Sequence, residues 1–407
     1  MGAPPPVTMG ALPLDGIRVL DFTWVVAGPV ATRILADHGA EVIKLERRPG
    51  PIGPRQTGLQ GDLHRNKRSI AVNMGHPRGV AIARRLAALS DLVIDNFSAR
   101  VMRSWGMDFA SLSKLKPEIV CVSMSGLGHT GPRASYVSYG PTLQALAGFT
   151  RLMTEADGEP AGYGYSYADM SGGFTGALAA LIALRHRRRT GQGQFVDLSQ
   201  FEAVVSVVGP AILDIAVNGR VQTPPGYASQ EAPAAPHGVY RCRPRDGDDD
   251  RWLALAVRSQ AEWERFAAAL GAPGWTAEAK FRTLYLRIRN RAELDAHVAA
   301  WAAGQTAEAA MADLQRAGVA AGLVANGADL CARDPQLQSR NFWGTVTLPD
   351  GRTTQVTGMP MKLSATPGSI RTPSPEIGSS NDYVLGELLG LGRAEREALI
   401  AEKAIWL

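Results

Sequence analysis

Residues 17–46 read IRVLDFTWVVAGPVATRILADHGAEVIKLE. Ile17–Phe22 is an apolar run of strand length, and Glu41–Glu46 is a second. Between them the loop Thr23–Pro29 leads into Val30–His38, whose apolar residues recur at helical spacing and which Gly39 stops. Strand, helix, strand is a β-α-β unit. A crossover through a helix makes its two strands parallel.

The pattern continues outward. Arg78–Leu89 and Phe109–Leu115 read as helices, while Asp91–Asn96, Ile119–Ser125 and Gln194–Asp197 read as strands. The strands are apolar throughout, as expected when helices cover both faces of a sheet. Pro141–Phe149, Ser171–Arg188 and Leu198–Asn218 read as further helices around a loop-rich stretch at 126–140. Composition then shifts to Pro, Ala and Gly over Gln222–Gly238, a linker or lid. A smaller α+β module follows, with strands at Trp252–Val257 and Gly322–Val324. Its helices lie near Gln260–Leu270, Arg291–Trp301 and Ala307–Ala317. Residues 342–363 read as a hairpin around Pro349-Asp350-Gly351, and Asn381–Leu407 as two helices parted by Gly390-Leu391-Gly392. The expected organisation is an α/β large domain over 1–220, a linker at 221–238, a small α+β domain over 239–330 and a returning segment over 331–407.

With 407 residues and 45% hydrophobic content, the chain exceeds one compact core. The net charge of +5 is spread along the sequence. No aromatic–basic module accompanies it, so no nucleic-acid partner is expected. The densest basic run, Arg185–Arg189, closes an apolar helical stretch, where cations complement the helix dipole. The excess also suits an anionic small ligand. Three cysteines, Cys121, Cys242 and Cys331, lie far apart without a CxxC, which argues against a disulfide framework or zinc and for a reducing cytoplasm. Residues 1–13 read as a loose Pro- and Gly-rich tail rather than a signal peptide. Gly, Ser or charge interrupts the apolar stretches before about 18 residues, so no membrane span is expected.

The loop DFTWVVAGP, residues 21–29, holds one glycine before Pro29. A dinucleotide fold needs G-x-G-x-x-G there, so an oxidoreductase is disfavoured. HExxH, GxSxG and Walker patterns are also missing. The chemistry must come from carboxylates, histidines or backbone.

Five ordered blocks then carry a resemblance: PLDGIRVLDFTWVVAGP (13–29), GAEVIKLERRPG (39–50), NKRSIAVNM (66–74), LVIDNFSAR (92–100) and YADMSGGFTGALAALIALRHRRRTGQGQFVDLSQFEA (167–203). Together they resemble the family III coenzyme A transferases, the family of formyl-CoA:oxalate, carnitine and bile-acid CoA-transferases. PHGVYRC, AGVAAGLV and DPQLQSRNFW extend the likeness more weakly. The resemblance implies a Rossmann-like large domain, a ring-shaped chain and an interlocked dimer. It assigns Asp169 as a nucleophile that attacks an acyl-CoA thioester and then carries CoA itself, covalent catalysis that divides one difficult step. From spacing alone Asp169 also suits a helix N-cap. The glycines beside it leave room for a thioester and free backbone N–H groups for a developing oxyanion.

The same resemblance sets Val25, Val26, Ala27, Val72, Asn96 and Phe97 along the CoA path. It puts Arg47 against the nucleotide phosphates, where a guanidinium bonds bidentately, and Trp24, Tyr139 and Gly140 at the substrate. Arg103 lies one position from a family basic residue, and Gly75 stands where some members carry lysine. Coenzyme A enters as a substrate, with no tightly bound cofactor and no metal. Related α-methylacyl-CoA racemases need a histidine in the segment aligned with Ser138-Tyr139-Gly140, and none is there. His129, in GHTGP, reads as a loop histidine. A homodimer, or a heteromer with a related subunit, is the expected assembly. Tyr139-Gly140 suggests space for a bulky acceptor, an aryl-substituted succinate or another dicarboxylate, with succinyl-CoA a candidate donor.

Overall fold

The computed structural model describes residues 12–47, 56–153, 159–162, 164–221, 233–245 and 247–406. Most of the expected loose N-terminus and most of the linker or lid lie outside the described residues.

The chain divides into two compact units. One comprises Met1–Thr150, Gly162–Leu213 and Pro335–Leu407; the other comprises Arg151–Ala161 and Asp214–Asp334. The first begins with β1 (Arg18–Asp21), α1 (Ala27–Asp37), β2 (Glu41–Glu46), α2 (Gly58–His64), β3 (Lys67–Ala71), α3 (Pro77–Leu89) and β4 (Leu92–Asp95). It continues with α4 (Val101–Ser104), α5 (Phe109–Leu112), β5 (Val120–Ser123), α6 (Gly140–Leu146), α8 (Tyr167–Thr190), β6 (Gln194–Asp197) and α9 (Gln200–Val207), while α7 (Phe149–Leu152) and α10 (Gly209–Asn218) each start in this unit and end in the other.

The six strands form one sheet in the order β3-β2-β1-β4-β5-β6, every pair parallel. The parallel sheet expected from residues 17–46 is therefore present. Strand order reverses between β1 and β4, and open α/β sheets place ligands outside the carboxyl ends of strands at such a reversal. One sheet face packs Val19, Val42, Leu92 and Val122 against α1 and α8. The opposite face packs Leu20, Ile43, Val93 and Cys121 with Ile82 and Leu86 of α3. Val384, Leu385, Leu399 and Ile405 of the C-terminal segment complete that second layer. Each such side chain contributes about 1.5–3 kcal/mol when fully buried.

The other unit holds β7 (His237–Arg241), β8 (Trp252–Ala256), α11 (Gln260–Ala269), α12 (Leu284–Arg289), α13 (Arg291–Ala303), α14 (Ala307–Arg316) and β9 (Ala320–Leu323). Its antiparallel sheet runs β7-β8-β9 over a core of Leu253, Leu255, Phe266, Leu294 and Leu314. After α15 (Pro335–Ser339) the expected hairpin is β10 (Gly344–Thr347) with β11 (Thr353–Val356), and α16 (Arg393–Ala401) closes the chain.

Three expectations need correction. The helix read as Leu198–Asn218 is two helices bent by 63°, because Pro210 cannot donate to a continuing helix and suits the first turn of a new one. The helix read from Ser171 starts a turn earlier, at Tyr167. That helix, α8, is also apolar and long enough to cross a membrane by composition, since its glycines and alanines do not lower hydropathy as charges would. Its small-residue face (Gly173, Gly176, Ala177, Ala180) is buried within the layer beside α1 and β5.

Candidate active site

Asp169 is the third residue of α8, one turn inside it, and Ser166 occupies the N-cap position. The carboxylate is therefore not the cap. The Ala27 N–H and the Ser166 hydroxyl lie beside it, and both favour its charged form. Ala27 opens α1, so the positive end of that helix dipole faces the carboxylate. Burial pushes the Asp169 carboxyl above its ordinary pKa, and the two donors hold back part of the rise. The result is a half-desolvated carboxylate that faces the start of α1.

Two neighbours fix its position. The buried Gln144 side chain on α6 accepts the Ala168 N–H at 3.4 Å, satisfying one of the free amides of α8's first turn. Gly140, the first residue of α6, lies directly against Asp169. A Cβ at position 140 would overlap both Ser166 Oγ and Asp169 Oδ2. The expectation that Gly140 leaves space for a bulky acceptor is therefore corrected: the carboxylate itself occupies that direction. Tyr139, the residue before it, is 55% exposed.

A second cluster lies where the chain leaves β1 and β4. Asn96 Oδ1 accepts the Trp24 N–H at 2.9 Å, and Asn96 Nδ2 donates to the Trp24 carbonyl at 2.9 Å. Phe97 packs between Trp24 and Trp105, at ring distances of 6.1 and 5.7 Å. Val25 takes φ of 61°, a left-handed conformation that β-branched residues avoid. Strain of this kind persists only where neighbours enforce it, and the Asn96 bracket beside it is such a restraint. Trp24 and Val25 remain exposed, Val26 half-buried and Ala27 buried.

The other expected residues are spread more widely. Val72 is 1% exposed, packs in the core and bridges to Ile405, so its side chain offers no surface. Arg47 is exposed at the end of β2. The Arg103 side chain is 82% exposed beside Asp108, 3.9 Å away, at the edge of a cavity of about 230 Å³. His129 lies on the same cavity, its Nε2 2.8 Å from Ser123 Oγ and its N–H donated to Asp197. Burial lowers its pKa, and these contacts fit the loop histidine read from the sequence.

Sequence reasoning missed Ser166 and the Ala27 amide beside Asp169, and Gln144, which holds the neighbouring Ala168 N–H. Ser at position 166, three residues before an acidic residue, is a capping-box pattern that could have moved the predicted helix start. Nothing local marks Gln144, which meets α8 only in three dimensions.

The family model for CoA-transferase family III matches residues 14–381. A probable CoA-transferase of Mycobacterium tuberculosis is 33% identical over 99% of the chain, which spans about half (52%) of that relative's length. The succinyl-CoA–D-citramalate CoA-transferase of Chloroflexus aurantiacus is 31% identical, covering 97% of this chain and 98% of its own. The crystal structure of a CAIB/BAIF family protein from Brucella suis superposes with a TM-score of 0.84 at 28% identity, covering 93% of this chain and all of that one. With a parallel α/β sheet and a family match over nearly its whole length, the chain belongs to CoA-transferase family III.

Proposed function

We propose that this enzyme moves CoA from an acyl-CoA donor to a carboxylic acid through a covalent intermediate on Asp169. The observation that carries the reading is the half-buried Asp169 carboxylate facing the first amide of α1. The ionised oxygen attacks the thioester carbonyl, and the CoA thiolate leaves, forming an acyl-aspartyl anhydride. The thiolate then attacks the aspartyl carbonyl and expels the donor carboxylate, leaving an aspartyl-CoA thioester. The acceptor carboxylate runs the same steps in reverse and departs as the new acyl-CoA. When the thiolate attacks the anhydride, and again when the acceptor attacks the aspartyl-CoA thioester, negative charge develops on the aspartyl carbonyl oxygen, and an amide donor at a helix start stabilises it.

Succinyl-CoA as donor and a dicarboxylate as acceptor rest on the name of the Chloroflexus relative. Arg47, Arg103 and the Trp24–Asn96–Phe97 cluster are the CoA contacts of this proposal, with coenzyme A as substrate rather than resident cofactor. A racemase would need a second base opposite Asp169, and the position against the carboxylate is Gly140. We propose that the active assembly is a dimer. Phe174, Leu178 and Ile182 support it: they form an exposed apolar stripe on α8 at four-residue spacing. A related second subunit in place of the identical copy is the alternative. The three free cysteines fit a cytoplasmic setting.

The test is Asp169→Asn, assayed for succinyl-CoA consumption across a panel of dicarboxylates. Transfer should fall by about a thousandfold or more, because the amide cannot form the anhydride. Retained transfer in that variant would end the proposal.

A further inference from the structure

Three charged side chains are shut into the interface between the sheet and α1. Asp21 ends β1, Lys44 lies beside it on β2, and Lys67 opens β3; all are buried. Asp21 Oδ1 accepts the Thr23 N–H at 2.8 Å and the Thr23 hydroxyl at 2.6 Å. Asp21 Oδ2 accepts the Thr32 hydroxyl at 2.7 Å and lies 3.4 Å from Lys67 Nζ. Lys67 Nζ also donates to Thr32 Oγ1 at 2.7 Å and to the Pro29 carbonyl at 3.1 Å. Lys44 Nζ donates to the Thr23 carbonyl.

Every group these charges hold belongs to the loop after β1 or to the first turns of α1. Ala27, whose N–H meets the Asp169 carboxylate, sits between the two anchors. Stability alone does not explain such a cluster. Two ammonium groups and one carboxylate are desolvated together, and buried ion pairs are often no more stable than apolar replacements. Burial drives the Lys67 pKa down to about 7, so the fold disfavours its charged form.

We propose that Lys67 is a positioning residue for acyl transfer: with Asp21 it fixes the start of α1 so that the Ala27 amide stays on the Asp169 carboxylate. This inference rests on Asp169 being the nucleophile.

Lys67→Met tests it. The substitution leaves Asp21 facing Lys44, an oppositely charged pair, so the chain should fold with a melting temperature no lower than wild type. In single turnover with succinyl-CoA, the variant should form the covalent adduct to the same final amount. Its rate should be about 10- to 100-fold lower, as for a misplaced catalytic donor. The KM for succinyl-CoA should stay within about threefold, because Asn96, not Lys67, brackets Trp24. Wild-type kcat should also fall as pH rises through about 7, where Lys67 loses its charge, and the variant should lack that limb. The groups facing Lys67 are Asp21 on β1, Lys44 and Glu46 on β2, and Thr32 with the Pro29 carbonyl on α1.

A wild-type rate in Lys67→Met, or a rate loss matched by a lowered melting temperature, would overturn the inference. Asp169→Asn run in parallel separates the two claims. If it still transfers CoA, the nucleophile assignment fails; if it is inert while Lys67→Met is unimpaired, only the positioning role fails.

Discussion

A carboxylate surrounded by water is a weak nucleophile toward a thioester, because its charge is solvated and its pKa is low. Asp169 is half-buried, and burial raises its pKa. The Ala27 and Ser166 donors keep an anion attainable there without bulk water. Gly140 matters at this scale because a methyl group in its place would overlap Asp169 Oδ2 and Ser166 Oγ. Gly140→Ala should therefore lower kcat by about tenfold or more by displacing the nucleophile. Circular dichroism should show the fold intact, and kcat measured at saturating acyl-CoA checks the claim. Asp169 was singled out through the family resemblance that YADMSGG carries, whereas Gly140 was read as open volume. The difference is physical: a motif carries its own spacing, but what a glycine's missing side chain would meet is set by a segment 26–29 residues away, at Ser166 and Asp169.

At the scale of elements, two helices must bring their starts to one point. The close packing of α1 on α8 makes this possible. A Cβ on Gly173 would lie 2.6 Å from Val30 Cβ and 2.8 Å from the Ala27 carbonyl, so only glycine permits that approach. Gly173→Ala should destabilise the fold by about 1–3 kcal/mol through overpacking, read as a lowered melting temperature. It should also lower kcat, because the carbonyl it presses belongs to Ala27, whose N–H faces Asp169. The strands of the parallel sheet were readable where they are purely apolar. β3 was not read as a strand, because KRSIA opens with Lys67 and Arg68 and looks polar until its neighbours are known. Lys67 is accommodated there because Asp21, Thr32 and the Pro29 carbonyl, distant in sequence, converge on it. The break at Pro210 was missed for the opposite reason, since apolar periodicity runs through it.

At the scale of the whole molecule, the C-terminal segment returns to the large unit, where Ile405 bridges to Val72 and Leu385 and Leu399 close the second sheet face. Truncation after residue 380 would strip that face and expose its core. The α8 stripe of Phe174, Leu178 and Ile182 faces outward, and the proposed dimer would cover it. Sedimentation velocity should give a particle of twice the 43.3 kDa chain mass, and Leu178→Glu should shift it toward the monomer; a monomeric wild type would contradict the assembly. Assembly is legible in the sequence only through resemblance, because an apolar stripe reads alike whether a core or a partner covers it.

The central claim is the covalent role of Asp169, and its most direct measurement is mass spectrometry of the enzyme after incubation with succinyl-CoA. Succinate should be released before any acceptor is added, and CoA should be found joined to the peptide containing Asp169. Hydroxylamine should convert that aspartate to its hydroxamate and inactivate the enzyme. An enzyme that transfers CoA while Asp169 stays unmodified throughout turnover would contradict the account.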